Sequence, residues 1–185
     1  MKTIQYAAEI INELNRTLDL VAEAEAEKLV DRILESRKVF VAGAGRSGFM
    51  ARSFVMRMMH MGLDAFVVGE TVTPGIDKDD ILIIGSGSGE TKSLVSMAEK
   101  AKGLGASVAA VTISPDSTIG RLSDFAIKLP AKPKAGADSE YKTIQPMGSL
   151  FEQSLLLFYD AVTLRLMDKN ELDSGTMFGR HANLE

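Results

Sequence analysis

Cysteine is absent from the 185 residues of this chain, which excludes disulfide bonds and thiolate metal sites. No stretch approaches the roughly 20 consecutive apolar residues that a membrane-spanning helix needs. The N-terminal segment MKTIQYAAEIINEL is interrupted by Glu9 and Glu13, unlike a signal peptide. The formal net charge is only −4, and no long run of like charge favours nucleic acid as a partner. We therefore expect a cytoplasmic protein with neither nucleic-acid nor membrane partners.

Apolar residues make up 45% of the chain, which is enough to bury one core in a single domain spanning residues 1–185. The spacing of these apolar residues distinguishes segments expected to be helices from segments expected to be strands. Helices are predicted for residues 3–35, with a break near 17–21, and for 47–61, 90–102 and 149–168. Strands are predicted for residues 38–45, 64–69, 79–89, 106–112 and 125–129.

The alternation of strands and helices indicates an α/β protein with a doubly wound, five-stranded parallel sheet covered on both faces. An N-terminal helical segment, about residues 1–36, precedes the first strand. A loop follows the last strand, over residues 130–146, and an irregular tail occupies about residues 170–185. The sequence does not give the strand order. Ligands of such sheets bind outside the carboxyl ends of the strands, where two glycine-rich turns lie.

The second of these turns, GSGSGET at residues 85–91, ends a buried strand and opens a helix. Helix N-termini present unpaired amides, glycines allow close approach, and hydroxyl groups add donors, so the turn is suited to a phosphate monoester. It is not a Walker A loop, because the glycine-lysine-serine/threonine ending is missing. The predicted phosphate-binding residues here are Ser86, Gly87, Ser88, Gly89, Glu90 and Thr91. The alternative is an ordinary turn in which Ser88 caps the helix and Glu90 favours its dipole.

The first turn, GAGRSG at residues 43–48, admits two interpretations. Its glycines fit the G-x-G-x-x-G pattern of dinucleotide sites, and Glu70 lies where a ribose-binding acid is expected. Ser47, however, adds a hydroxyl beside Gly45 that a dinucleotide loop does not require. Arg46 is a secondary candidate for anion binding, with solvated surface as its alternative role.

Taken together, these two turns resemble the SIS (sugar isomerase) domain family of phosphosugar-binding proteins over residues 30–170. The segments VFVAGAGRSG, GSGSGET, QPMGSLFEQ and FGRHANLE narrow the resemblance to the branch that interconverts 3-hexulose 6-phosphate and fructose 6-phosphate. The resemblance implies a flavodoxin-like αβα sandwich, a homo-oligomer that is a tetramer, and a place in the ribulose monophosphate pathway of formaldehyde assimilation. The reaction moves a carbonyl through an enediol(ate), so it needs a base and oxyanion stabilisation but no redox cofactor and no metal.

Glu152 is the carboxylate candidate for the base, since it interrupts the apolar run SLFEQSLLLF. From the residues alone a capping box, in which Glu152 bonds back to the amide of Ser149, explains it as well. The resemblance implies instead that Glu152 is the proton acceptor.

The chain has two histidines, and both are weaker catalytic candidates. His60 ends a methionine-rich helix, where it either favours the helix dipole or shuttles a proton. His181 lies in the tail, which also carries Phe178 and Leu184, and we expect the tail to bring Arg180 or His181 near a neighbouring subunit's site. Lys92 is a further secondary candidate that is better explained as solvated surface.

Three other functions compete with a hexulose-phosphate isomerase. A SIS protein can act on another sugar phosphate, such as an arabinose or sedoheptulose phosphate, because pocket shape decides the substrate. A phosphosugar sensor is expected to carry a DNA-binding or kinase-like domain, and these 185 residues show none. A nicotinamide-dependent dehydrogenase explains GAGRSG and Glu70 but leaves GSGSGET unexplained.

Overall fold

The computed structural model describes residues 1–134 and 141–184. After two initial helices, strands alternate with helices except between the second and third strands, where no helix intervenes. The helices are α1 Thr3–Leu18, α2 Glu23–Glu35, α3 Arg46–Met61, α4 Lys92–Gly103, α5 Thr118–Leu122, α6 Ser149–Lys169 and α7 Ser174–Phe178. The strands are β1 Val39–Gly43, β2 Ala65–Val67, β3 Ile81–Gly85, β4 Ser107–Thr112 and β5 Phe125–Lys128.

The five strands form one parallel sheet in the order β2-β1-β3-β4-β5. This order confirms the predicted doubly wound α/β architecture. The chain turns outward from β1 to β2 on one side and then returns to place β3 on the other side of β1. The topological switch point therefore lies between β1 and β3, where doubly wound sheets bind their ligands.

Both faces of the sheet are covered, which gives the molecule two apolar layers. One layer packs strand side chains such as Val41 and Ile83 against α2, α3 and α6. The other packs Phe40 and Ile84 against α4 and α5. Every residue of β3 is buried, as expected of a central strand that faces helices on both sides.

Local sequence signals account for several element boundaries. Helix α3 ends at Gly62, which adopts the left-handed conformation (φ 89°) that favours glycine after a helix. Helix α1 ends at Leu18 and α2 begins at Glu23, so residues 19–22 separate them and overlap the predicted break near 17–21. Helix α6 buries eleven of its 21 residues, so it packs on more than one side.

Two sequence-based expectations about elements are wrong, and one helix was missed. The fourth helix begins at Lys92 with Thr91 as its N-cap residue, so Ser88 does not cap it and Glu90 precedes it. The tail is not wholly irregular, because residues 174–178 form α7, whose N-terminal amide is capped by Asp173. Helix α5 was not predicted. Residues 135–140 of the predicted loop lie outside the described residues.

Within the described ranges, none of the helices is both long enough and apolar enough to cross a membrane.

Candidate active site

The two glycine-rich turns meet in one cleft. Gly43 at the end of β1 is the register partner of Gly85 at the end of β3, so both turns leave adjacent strands at the same level. The cleft between them has a volume of about 370 Å³. Its lining residues are Ala44, Gly45, Ser47, Gly85, Ser86, Gly87, Ser88, Thr91, Leu94, Ile113, Pro133, Lys134, Gly148 and Phe151.

Four predicted hydroxyl donors face this cleft. Ser47 and Ser86 are buried at 6% and 5% exposure, whereas Ser88 is exposed and Thr91 is partly exposed. The Ser86 Oγ accepts a hydrogen bond from the Gly89 amide at 3.2 Å. Because that bond uses only an acceptor lone pair, the Ser86 hydroxyl proton remains available to donate to an anion.

Glycine is required by backbone conformation at two positions in these turns. Gly45, the N-cap of α3, has φ 57°, and Gly89 has φ 64°. A side chain at Gly89 would also collide with Ser117. By contrast, the space that a side chain at Gly45 would occupy is empty within 4 Å, on the cleft side of the turn. The backbone at Gly45 can therefore approach a bound group closely.

Three helix N-termini converge on the cleft. Gly45 and Ser47 begin α3, Thr91 caps α4, and Gly148 caps α6. Unpaired amides and aligned peptide dipoles give each N-terminus a partial positive charge. Together they favour a phosphate in the cleft. The sequence suggested the first two of these helix ends but not the third.

Glu90 does not face the cleft, although it was predicted to bind phosphate. Its carboxylate accepts hydrogen bonds from the Thr118 amide at 2.7 Å and from the Thr118 hydroxyl at 2.8 Å. These bonds lower the pKa of Glu90 below its ordinary value. Glu90 thus ties the turn to α5, and its carboxylate is directed away from the cleft.

Glu152 lies in the first turn of α6, next to the cleft residue Phe151. Its side chain is only 3% exposed, and its two carboxylate oxygens contact different cations. Oε2 is 3.0 Å from Arg46 Nη1, and Oε1 is 2.9 Å from Lys134 Nζ. A buried carboxylate is thereby held in place and charge-compensated beside the cleft.

Helix α6 does not begin with the capping box that was the alternative explanation for Glu152. Gly148 is the N-cap residue, so Ser149 occupies the first helical position. The Ser149 hydroxyl accepts a hydrogen bond from Arg46 Nη1 at 2.9 Å. Arg46, predicted as a secondary candidate, therefore joins α3 to the start of α6 rather than being wholly solvated.

Lys134 was not predicted as a site residue. It lies in the described start of the loop after β5, lines the cleft, and pairs with Glu152. The loop's repeated lysines and prolines carried no spacing that singles out Lys134. Lys92, in contrast, is exposed and is not among the lining residues of the described cleft.

The two histidines lie together but away from this cleft. His60 is near the C-terminus of α3, about 20 Å along the helix from Ser47 at 1.5 Å per residue. Its ring stacks on that of His181 with centroids 5.3 Å apart. Both line a second cleft of about 430 Å³ with Arg57 and Asp160. Burial lowers the pKa of His60, and the charges of His181 and Arg57 lower it further.

The tail packs on its own chain. The Arg180 guanidinium donates to the carbonyl of Met61 at 2.6 Å and lies where a side chain on Gly62 would stand. Phe178 nevertheless remains 77% exposed and Leu184 fully exposed. Contact of these side chains with a neighbouring subunit stays a prediction.

The residues that suggested a dinucleotide site, the glycines of the first turn and Glu70, have structural roles in the fold. Gly43 and Gly48 allow α3 to pack closely on the end of β1, since a side chain on either would collide with the other turn residues. Glu70 pairs with Arg52 of α3. Its carboxylate is therefore already engaged within the chain.

Comparisons with known proteins agree with this geometry. Residues 32–157 match the SIS domain. The chain is 59% identical over 185 residues, the whole of both chains, to 3-hexulose-6-phosphate isomerase of Bacillus subtilis (strain 168). It is 42% identical over 184 residues to the protein of that name from Mycobacterium gastri, covering 96% of this chain and 92% of the other.

Similarity extends to a solved structure. A hypothetical protein from Methanococcus jannaschii, whose crystal structure led to an inferred function of 3-hexulose-6-phosphate isomerase, is 34% identical with a TM-score of 0.85. The match covers 98% of this chain and 99% of that one.

Proposed function

The chain belongs to the SIS domain family, and from this premise we propose that it is an isomerase interconverting 3-hexulose 6-phosphate and fructose 6-phosphate. The observation that carries the proposal is a buried carboxylate, Glu152, beside a cleft built from helix N-termini and hydroxyl groups. The cleft suits a phosphate monoester, and the carboxylate suits proton abstraction next to a carbonyl. No hydride acceptor is needed, because the substrate is oxidised at one carbon and reduced at its neighbour.

The phosphate is held by the two turns. The buried hydroxyl groups of Ser47 and Ser86 donate hydrogen bonds to the phosphate from the floor of the cleft. The more exposed hydroxyl groups of Ser88 and Thr91 donate from its rim, and Gly87 lines the cleft between these two sets. Holding the terminal phosphate places the reacting carbons at a fixed distance from the turns. Binding energy from the unreactive end thus supports catalysis at the other end.

Glu152 acts as the base. Its carboxylate removes the proton from C2, the C2–H electron pair forms the C2=C3 double bond, and the carbonyl electrons move to O3. The O2 proton then passes to O3, the C2 carbonyl forms, and Glu152 returns its proton to C3. Arg46 keeps the carboxylate oriented through its contacts with Glu152 and Ser149.

A homotetramer is part of the proposal. Helix α1 buries only Glu13 and Thr17 within the chain, while Ile4 and Ile11 are 78% and 58% exposed. Uncovered apolar area of this kind favours self-association.

Any catalytic role of His60 and His181 then requires a second subunit. Within one chain they lie at the far end of α3 from the phosphate site. In a tetramer the second cleft can face a neighbour's active site. The low pKa of His60 favours a neutral ring, which both donates and accepts a proton.

A direct assay tests the function. Purified protein is incubated with 3-hexulose 6-phosphate, without added nicotinamide or metal, and fructose 6-phosphate is measured by NMR. Conversion in both directions is expected. Turnover of arabinose 5-phosphate but not of the hexulose phosphate would show that the substrate is a different sugar phosphate. Binding of either sugar phosphate without turnover would indicate a sensor rather than an enzyme.

A further inference from the structure

Among the described residues that line the cleft, Lys134 is the one whose side chain also contacts the carboxylate of Glu152. Its Nζ lies 2.9 Å from Oε1, and its side chain is 55% exposed, so the ammonium group can reach both the carboxylate and the cleft. Resting on the proposed function, we propose that Lys134 is the catalytic cation that stabilises the enediolate oxygen.

The reasoning follows the negative charge through the first step. Before reaction the charge resides on Glu152, where Lys134 and Arg46 compensate it. When the C2 proton is transferred to the carboxylate, Glu152 becomes neutral and the negative charge appears on O3 of the sugar. A cation that stays within a few ångströms of both positions stabilises the charge throughout this movement. Lys134 transfers no proton in this step, and Glu152 later returns to C3 the proton that it took from C2, so the complete reaction leaves the enzyme with no net gain or loss of protons or electrons.

Arg46 is less suited to this task. Its Nη1 contacts the Glu152 carboxylate at 3.0 Å and also donates to the Ser149 hydroxyl at 2.9 Å. These bonds hold the guanidinium on the α6 side, and Arg46 is not among the residues that line the described cleft. Lys134 has a flexible stem and a compact charge, which can follow the charge from carboxylate to substrate.

Gly148, the N-cap residue of α6, leaves space for the aliphatic part of the Lys134 side chain. A side chain on Gly148 would stand only 2.8 Å from Lys134 Cε and 3.0 Å from Cγ. Glycine at this position therefore leaves room for Lys134 to cross the helix end. Lys132, two residues earlier, lines a neighbouring cleft between residues 132–134 and 143–150 but not the cleft between the two turns. In the described structure it has no ion pair with Glu152.

Lys134→Ala tests the proposal, with Lys132→Ala as the matched control. Removing one oxyanion-stabilising donor lowers kcat by about 100-fold or more, so we expect a kcat loss of that size for Lys134→Ala and a KM within about threefold of wild type. Lys132→Ala keeps wild-type values. Methylammonium or ethylammonium added to Lys134→Ala restores part of kcat and leaves Lys132→Ala unchanged. Lys134→Arg retains part of the activity because it keeps the positive charge.

Binding measurements distinguish stabilisation of the transition state by Lys134 from stabilisation of the bound substrate. A phosphorylated hydroxamate that mimics the enediolate loses affinity for Lys134→Ala by about as much as kcat falls. The affinity for fructose 6-phosphate, measured by calorimetry, stays close to that of the wild type.

Three results for Lys134→Ala would overturn the proposal. The first is a wild-type kcat, and the second is a raised KM with unchanged kcat, which would make Lys134 a phosphate ligand. The third is a lowered kcat that amines do not restore, together with an equal loss of affinity for the hydroxamate and for fructose 6-phosphate. Unaltered thermal melting excludes misfolding as the cause. If the unsubstituted enzyme fails to interconvert the two sugars, the proposed function itself falls and takes this inference with it.

Discussion

At the scale of single residues, Glu152 combines burial with two cationic contacts, from α3 and from the loop after β5. Removing one partner of a buried pair leaves the other charge uncompensated, so the two cationic contacts hold this carboxylate in position. A general base needs such a fixed position. The same geometry would be unusual for a residue whose only task is to cap α6.

We expect Glu152→Gln to lower kcat by about a thousandfold or more, since general base catalysis contributes roughly 10²–10⁴-fold. Fructose 6-phosphate binding by calorimetry should persist, because the phosphate site is built from other residues. Asp168→Asn, a surface carboxylate of the same helix paired with Arg165, serves as control and should keep normal turnover. Near-normal kcat in Glu152→Gln would leave this carboxylate with a structural role only.

The hydroxyl groups of the second turn should act mainly on binding. A hydrogen bond to a charged group contributes about 1.5–3 kcal/mol, so the double variant Ser86→Ala/Ser88→Ala should raise KM by about tenfold or more and lower kcat less. Ser93→Ala in the exposed first turn of α4 is the control. Steady-state kinetics measure both constants, and an unchanged KM in the double variant would mean that the phosphate binds elsewhere.

At the residue scale, the sequence singled out Ser47 and Ser86 because hydroxyl residues are rare beside glycines after apolar strands. Both residues line the cleft, and their role in phosphate binding stays a prediction. Glu90 was misplaced because its direction depends on α5, a helix of five residues without strong periodicity. Lys134 was missed because its partner Glu152 lies 18 positions away, and only the folded chain brings the two charges together.

At the scale of elements, the turn after β3 depends on its fit against α5. Gly89 has positive φ, its carbonyl accepts from the Ile119 amide, and its α-carbon faces Ser117. Glu90 adds two bonds to Thr118. The turn after β3 is thus held in place by α5, on the side that faces away from the cleft.

Gly89→Ala should therefore reduce both stability and substrate binding. Positive φ costs a non-glycine residue about 1 kcal/mol or more, and displacement of Ser117 adds to it, so a loss of about 2–4 kcal/mol is expected in urea unfolding. Gly103→Ala, at the end of α4 with open space around it, should be neutral or stabilising. Equal stability of the two variants would contradict the described packing of the turn.

Helix α1 is fastened to the segment before α6 by one buried carboxylate. Glu13 accepts hydrogen bonds from the Thr143 hydroxyl at 2.6 Å, the Ile144 amide at 2.8 Å and the Gln145 amide group at 2.9 Å. Burial acts to raise the pKa of Glu13, but these bonds, with the charge of Arg16, outweigh it and hold the pKa below 4.5.

A depressed pKa in the folded state makes this contribution pH-dependent. It is fully present above about pH 4.5, the ordinary value, and is lost as the pH falls through the lower folded-state value. Glu13→Gln should cost about 2 kcal/mol of unfolding free energy at pH 7, and the difference from wild type should shrink towards pH 3. Urea unfolding at several pH values measures it, with Glu9→Gln on the same helix as control. A difference independent of pH would contradict the assignment.

The five strands and the long helices were predictable from periodicity, but the order of the strands in space was not. The strands are short, mostly apolar runs, as in Ile81–Gly85, whereas the order β2-β1-β3-β4-β5 depends on long-range pairing. Helix α7 was missed because five residues carry no helical period. A cap signal was present, since Asp173 bonds the amide and hydroxyl of Thr176.

At the scale of the whole molecule, self-association is the main expectation. Light scattering after size-exclusion chromatography should give about 80 kDa, four times the 19.9 kDa of one chain. Charged substitutions at the exposed Ile4 and Ile11 of α1 should lower that mass if this face is buried between subunits. A monomer mass for the unsubstituted protein would contradict the proposed assembly.

A crystal structure with fructose 6-phosphate bound tests most directly whether the two turns and Glu152 form one active site. We expect the phosphate within hydrogen-bond distance of Ser47 and Ser86, and C2 and C3 of the sugar beside the carboxylate of Glu152. A phosphate bound outside these turns, or a sugar whose C2 and C3 lie beyond the reach of Glu152, would contradict the proposed mechanism.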